Sequence, residues 1–189
     1  MKLRIVGIAG SLRRGSFNRA ALRAAAELLP PGAELEIVGL QDIPSYNQDR
    51  DANPPESVAE LKAAIRSADA VLFATPEYNY SIPGVLKNAI DWASRPYGDS
   101  AWQSKPAAIM GASISAIGTA RAQYHLRQIL SYLDMYTINK PEVLITVASE
   151  KCNSSGDYTD EAIREQIRAL VEALVSWTIR LKKAELVSY

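Results

Sequence analysis

Five apolar stretches, each followed by residues at helical spacing, limit what this chain can become more than any other feature. The clearest stretch, Ala70-Val71-Leu72-Phe73-Ala74, is apolar without alternation, as a strand reads when both of its faces are covered. Strands are expected at about 3 to 9, 34 to 40, 69 to 75, 106 to 112 and 142 to 147, and helices at about 17 to 29, 56 to 67, 83 to 94, 119 to 135 and 160 to 182. Parallel strands joined by right-handed crossovers carry helices on both faces, and ligands bind beyond the carboxyl ends of the strands where strand order reverses. The last helix shows its buried stripe directly, with Ile163, Ile167, Leu170, Leu174, Trp177 and Leu181 alternating at spacings of four and three. Thr159 before it reads as the N-cap, and Asp160 and Glu161 as first-turn acids of structural rather than catalytic purpose.

No repeat, low-complexity tract or change of composition divides the 189 residues, so one α/β domain over residues 1–189 is expected. Twenty-one basic residues balance 21 acidic ones, which gives no electrostatic reason to expect a nucleic acid or an anionic membrane. A small molecule is the expected partner. Cys152 is the sole cysteine and His125 the sole histidine, which excludes an internal disulfide and leaves too few soft ligands for a zinc or iron-sulfur site. The opening run Ile5 to Ala9 is too brief for a spanning helix or a signal peptide, and the chain is expected to be cytoplasmic and metal-free.

Chemistry concentrates in the loops after the first, third and fourth strands. The first loop, Gly10-Ser11-Leu12-Arg13-Arg14-Gly15-Ser16-Phe17-Asn18, opens a helix. Small residues there let the backbone close on an anion, Ser11, Ser16 and Asn18 offer side-chain donors, and the helix end adds unpaired amides. An ordinary helix-capping turn has the same composition. The loop lacks the lysine of a nucleotide P-loop, and Gly10 and Gly15 are too far apart for a dinucleotide fingerprint, so a single terminal phosphate suits it best. In the second loop, Thr75-Pro76-Glu77-Tyr78-Asn79-Tyr80-Ser81-Ile82-Pro83-Gly84, two prolines fix a segment rich in aromatic and amide groups. Such a segment can frame one edge of a planar heterocycle.

G-S-L-R-x-G-S-F-N after the first strand and T-P-E-Y-N-Y-S-I-P-G-V-L-K-N-A-I-D-W after the third resemble the NADPH-dependent FMN reductase family, and the likeness runs through Pro44 to Asp49 and Gly118 to Arg127, covering about residues 3 to 147. The resemblance implies a flavodoxin-like three-layer α/β/α sandwich with a five-stranded parallel sheet in the order 2-1-3-4-5. It implies that Ser11, Arg13, Ser16, Phe17 and Asn18 hold the FMN phosphate, and that Pro76, Glu77, Tyr78, Asn79 and Tyr80 run along the isoalloxazine. Ser113 and Gly118 of the third loop complete the implied cofactor set. That loop, Gly111 to Gly118, carries Ile114-Ser115 where Pro-Gly usually follows the serine.

The implied activity is hydride transfer from NADPH or NADH through bound FMN to a small-molecule electron acceptor. Quinone is the first choice, with azo, nitro and chromate compounds permitted, and donor and acceptor alternate in ping-pong fashion with no catalytic side chain. A flavodoxin-type electron carrier without direct NAD(P)H oxidation is the alternative. Family members commonly pair, implying a homodimer or homotetramer, and Trp92, Tyr97 and Trp102 are read either as contact aromatics or equally as core residues. A serine hydrolase is opposed because no aspartate lies between Ser113 and His125. His125 is given no role, Cys152 is expected to be exposed with its pKa lowered by Lys151, and Asp49 and Asp51 are read as turn residues or as lining a pocket mouth.

Overall fold

The computed structural model describes residues 2–187. Its elements are β1 (Leu3–Ala9), α1 (Phe17–Glu27), β2 (Ala33–Val38), α2 (Glu56–Ser67), β3 (Ala70–Ala74), α3 (Gly84–Ala93), β4 (Pro106–Ala112), α4 (Ala120–Tyr132), β5 (Tyr136–Thr137), β6 (Val143–Ile145) and α5 (Glu161–Val187). All pairings between these strands are parallel and the order is β2-β1-β3-β4-β5, with β6 also on β4. This is the flavodoxin-like order. Both central strands, β3 and β4, are buried along their whole length, as their unbroken apolar runs require.

Two apolar layers cover the sheet. Leu22, Leu72, Met110, Ile167, Leu170 and Leu174 belong to the layer under α1 and α5. Phe73, Leu61, Ile90, Ile109, Leu126 and Trp102 belong to the layer under α2, α3 and α4. At roughly 1.5–3 kcal/mol for each fully buried large apolar side chain, these layers supply the main drive to fold.

The fifth sheet position differs from the expected single strand at 142 to 147. Tyr136 and Thr137 pair with the beginning of β4 and Val143 to Ile145 with its end. Ile138 still donates to Ala107 O at 2.9 Å, but Pro141 has no N–H and the chain leaves the ladder between the two pieces. The helix expected to run to residue 135 ends at Tyr132, which frees residues for the first piece. The cap of α5 is also one residue on from Thr159. Asp160 Oδ1 accepts from Ile163 N at 3.1 Å, and its other oxygen pairs with Lys151 Nζ at 2.7 Å. A carboxylate that satisfies a helix amide and a lysine together outcompetes the neighbouring hydroxyl.

Candidate functional site

The carboxyl ends of β1, β3 and β4 lie side by side, and three loops leave from them. Close backbone approach brings these loops together. A Cβ on Gly10 would lie 3.2 Å from Leu86 Cδ2 and 3.3 Å from Pro76 Cδ, and one on Gly111 would fall 2.4 Å from the Thr75 carbonyl oxygen and 2.0 Å from Thr119 Oγ1. Only glycine fits at 111.

The first loop wraps the start of α1. Ser16 is the N-cap, its Oγ accepting from Arg19 N at 3.3 Å, and Ser11 Oγ lies 3.4 Å from Arg13 N. Both serines are largely buried and keep a hydroxyl proton to donate. The N–H groups of Phe17 and Asn18 fall in the first helical turn, beyond the reach of any intrahelical carbonyl. Arg13 and Arg14 are exposed beside them, and the Arg13 guanidinium stands 5.8 Å from the Phe17 ring centroid. Amides, hydroxyls and cations are thus gathered at one helix start, the kind of groups that can bind an anion.

Asn18 is engaged differently from the expectation. Its side-chain Nδ2 donates to Ala112 O and its Oδ1 accepts from Ala112 N, both at 2.9 Å and both buried. The side-chain amide therefore clamps the start of α1 to the end of β4, and what remains for a ligand is the Asn18 backbone N–H.

In the second loop Thr75 and Pro76 are buried. Tyr78 and Ser81 exchange two backbone hydrogen bonds of 3.0 Å, and the residues between them, Asn79 and Tyr80, have φ of 50° and 66°. Positive φ at both central positions makes this the tight hairpin turn that favours Asn followed by Gly. Tyr at the second position is strained by about 1–3 kcal/mol. Glu77 does not extend outward. Its carboxylate is almost wholly covered, accepting from Arg121 at 2.5 Å and from Ala122 N at 3.2 Å, where it also meets the positive end of α4. The Arg121 guanidinium carbon is 3.6 Å from the Tyr80 ring centroid, and His125 Nδ1 lies 3.0 Å from Ser81 Oγ.

The third loop is tied on both sides. Ser113 N donates to Ile145 O at 3.0 Å, Ala148 N to Ser113 O at 3.0 Å and Val147 N to Ser115 O at 3.3 Å. Ser113 Oγ accepts from Ser115 N at 3.1 Å, and Ser115 Oγ donates to the carbonyl of Gly118 at 3.3 Å, whose φ is 66°. These bonds leave Ile114 at the exposed tip. Leu12, Tyr78, Tyr80, Ile114 and Ile117 are exposed on the three loops, an apolar fringe around the strand ends.

Several other residues stand apart from the site. Of the two readings of the tryptophans the structure takes the core one for Trp92 and Trp102, with Trp92 Nε1 donating to Pro44 O at 2.8 Å and Trp102 Nε1 to Ile90 O at 3.0 Å. Tyr97 alone of the three is exposed. Cys152 is half-buried beside Tyr158, and burial pushes its thiol up, overcoming any pull from nearby cations; Lys151 is turned to Asp160. Asp51 accepts from Tyr46 OH at 3.3 Å. What the sequence did not disclose is the partnership of Arg121 and His125 with the second loop, because these residues are 44 positions from Glu77 and Ser81. Their spacing of four on one helix was the only trace.

Residues 3–150 match the family described as NADPH-dependent FMN reductase. An NAD(P)H-dependent FMN reductase of Pseudomonas aeruginosa is 51% identical over 95% of this chain and 97% of its own. A 2-hydroxy-1,4-benzoquinone reductase of a Burkholderia species is 44% identical over 94% and 97%. Among solved structures, FerB of Paracoccus denitrificans, a flavoenzyme NAD(P)H:(acceptor) oxidoreductase, superposes with a TM-score of 0.87 at 39% identity, covering 94% of this chain and 98% of its own.

Proposed function

The chain belongs to the NADPH-dependent FMN reductase family, and from that membership we propose that it is an FMN-dependent NAD(P)H oxidoreductase whose acceptors are quinones. The cradle at the start of α1 carries the proposal. Two buried serines, two first-turn amides and the Arg13 and Arg14 side chains suit a terminal phosphate. Ser11, Arg13, Ser16 and the Phe17 and Asn18 amides would hold that phosphate. Pro76, Tyr78, Asn79 and Tyr80 would line one edge of the isoalloxazine and Ser113 and Gly118 another, with Glu77 acting through Arg121.

FMN, when bound, would supply the capacity for hydride and two-electron transfer between NAD(P)H and the acceptor. The chain's own task is placement. Backbone N–H groups of the second and third loops other than those bonded within the protein would stabilise negative charge, and the apolar fringe of Tyr78, Tyr80, Ile114 and Ile117 would exclude water while one planar molecule replaces another. Donor and acceptor would then use one face in turn, a ping-pong scheme, and azo, nitro and chromate compounds would be reduced there too. Residues 1–189 would act as one cytoplasmic domain that pairs into dimers or tetramers.

Anaerobic mixing of the FMN-loaded protein with NADPH or NADH tests the proposal. Loss of the flavin's visible absorbance within seconds, regained on adding benzoquinone, is the expected result. FMN bound without bleaching would make the chain an electron carrier instead, and failure to bind FMN would remove both.

A further inference from the structure

The turn at Tyr78 to Ser81 combines two features that oppose each other. It is a two-residue hairpin turn with φ of 50° at Asn79 and 66° at Tyr80, yet its second position holds a bulky aromatic residue instead of the glycine such a turn takes most readily. Its own bonds are the two between Tyr78 and Ser81. Side chains from the first two turns of α4 add further contacts. The Arg121 guanidinium lies against the Tyr80 ring at 3.6 Å while its nitrogens hold the covered carboxylate of Glu77 at 2.5 Å, one residue before the turn. His125, one helical turn later, reaches Ser81 Oγ at 3.0 Å. Both ends of the turn and its strained tip are therefore fastened to one helix face.

We infer that Arg121 is a positioning residue that holds the Tyr80 turn in the conformation presented to the flavin edge. The role presupposes the FMN site proposed above. Arginine suits it because a planar cation can stack on a ring and bond a carboxylate at once. Lysine keeps the charge and loses the plane.

Arg121→Lys is accordingly the probe, since it leaves Glu77 a cationic partner. In the protein without flavin, the Tyr78 and Ser81 amides should exchange with deuterium roughly tenfold faster in this variant, while the amides of β3 and β4 keep their protection. FMN affinity should also fall roughly tenfold, the size of effect a lost stacked cation produces. The second variant adds Tyr80→Gly, which places a glycine after Asn79 and removes the strain that Arg121 offsets. Slow exchange at Tyr78 and Ser81 should return in the double variant. Unchanged exchange in Arg121→Lys, or equally fast exchange in the double variant, would overturn the inference. Wild-type protein that binds no FMN would instead overturn the proposed function, and the exchange measurements would still decide whether Arg121 braces the turn.

Discussion

Ser16 is where helix capping and the proposed anion binding would meet, since its oxygen accepts from Arg19 N and its hydroxyl still has a proton to donate. Ser16→Asp should keep the cap and reverse the electrostatics. A like-charge pair about 4 Å apart at an effective dielectric near 20 costs roughly 4 kcal/mol, and half of that surviving solvent screening weakens binding roughly 30-fold per unit charge. Near-normal thermal unfolding of the flavin-free variant with FMN affinity lost in fluorescence titration is expected, and affinity within threefold of wild type would remove Ser16 from the site. Asn18 works on the other side of the ledger of polar groups. Asn18→Leu strands the buried N–H and C=O of Ala112, which should cost about 2–4 kcal/mol in urea unfolding. A loss below 1 kcal/mol would mean that water or a shift of the loop replaces the amide. The serines and Asn18 were legible as a polar loop before a helix; which of them faces inward was not, because the partner of Asn18 is 94 residues away.

At the level of elements, the apolar runs located each long strand and helix to within a few residues, since burial on both faces leaves a continuous signature. The divided fifth position escaped notice because a two-residue strand such as Tyr136–Thr137 has no periodicity to read. The joint between α2 and the segment after α3 was equally silent. There Lys62, whose side chain is nearly covered, donates to Asp99 at 2.8 Å, and Arg66 meets the other oxygen at 2.5 Å. Hydrogen bonds from Lys62 and Arg66 hold the Asp99 carboxyl below the usual carboxylate range. A depressed carboxyl contributes stability that is present above the unfolded carboxylate pKa and is lost as pH falls through the folded value. Asp99→Asn should therefore destabilise the protein at pH 7, by about 1 kcal/mol because half of the aspartate faces water. The gap from wild type should close at acid pH, below the folded pKa of Asp99. Parallel stability curves from pH 7 down to that acid range would show that the pair contributes nothing.

For the molecule as a whole, α1 and α5 lie over one face of the sheet and α2, α3 and α4 over the other, leaving the carboxyl edge of the strands to the three loops. No helix among the described residues is long and apolar enough to cross a membrane. Tyr97 and Tyr132 are exposed along a groove between α4 and the segment after α3, which suits self-association through aromatic side chains. Light scattering at micromolar concentration should give at least twice the monomer mass of 20.6 kDa; a stable monomer would end that expectation. Trp92 and Trp102 would stay core residues in either case.

The Asn18 amide also has a thermodynamic meaning for the cleft. By joining the start of α1 to the end of β4, it would make the proposed phosphate end and the third loop one preformed receptor rather than two pieces to be gathered. A preformed receptor loses little conformational entropy when it fills, so calorimetry should give a heat-capacity change no larger than the covered apolar surface explains. Association should then follow a single diffusive step, its observed rate rising in proportion to ligand concentration without a plateau.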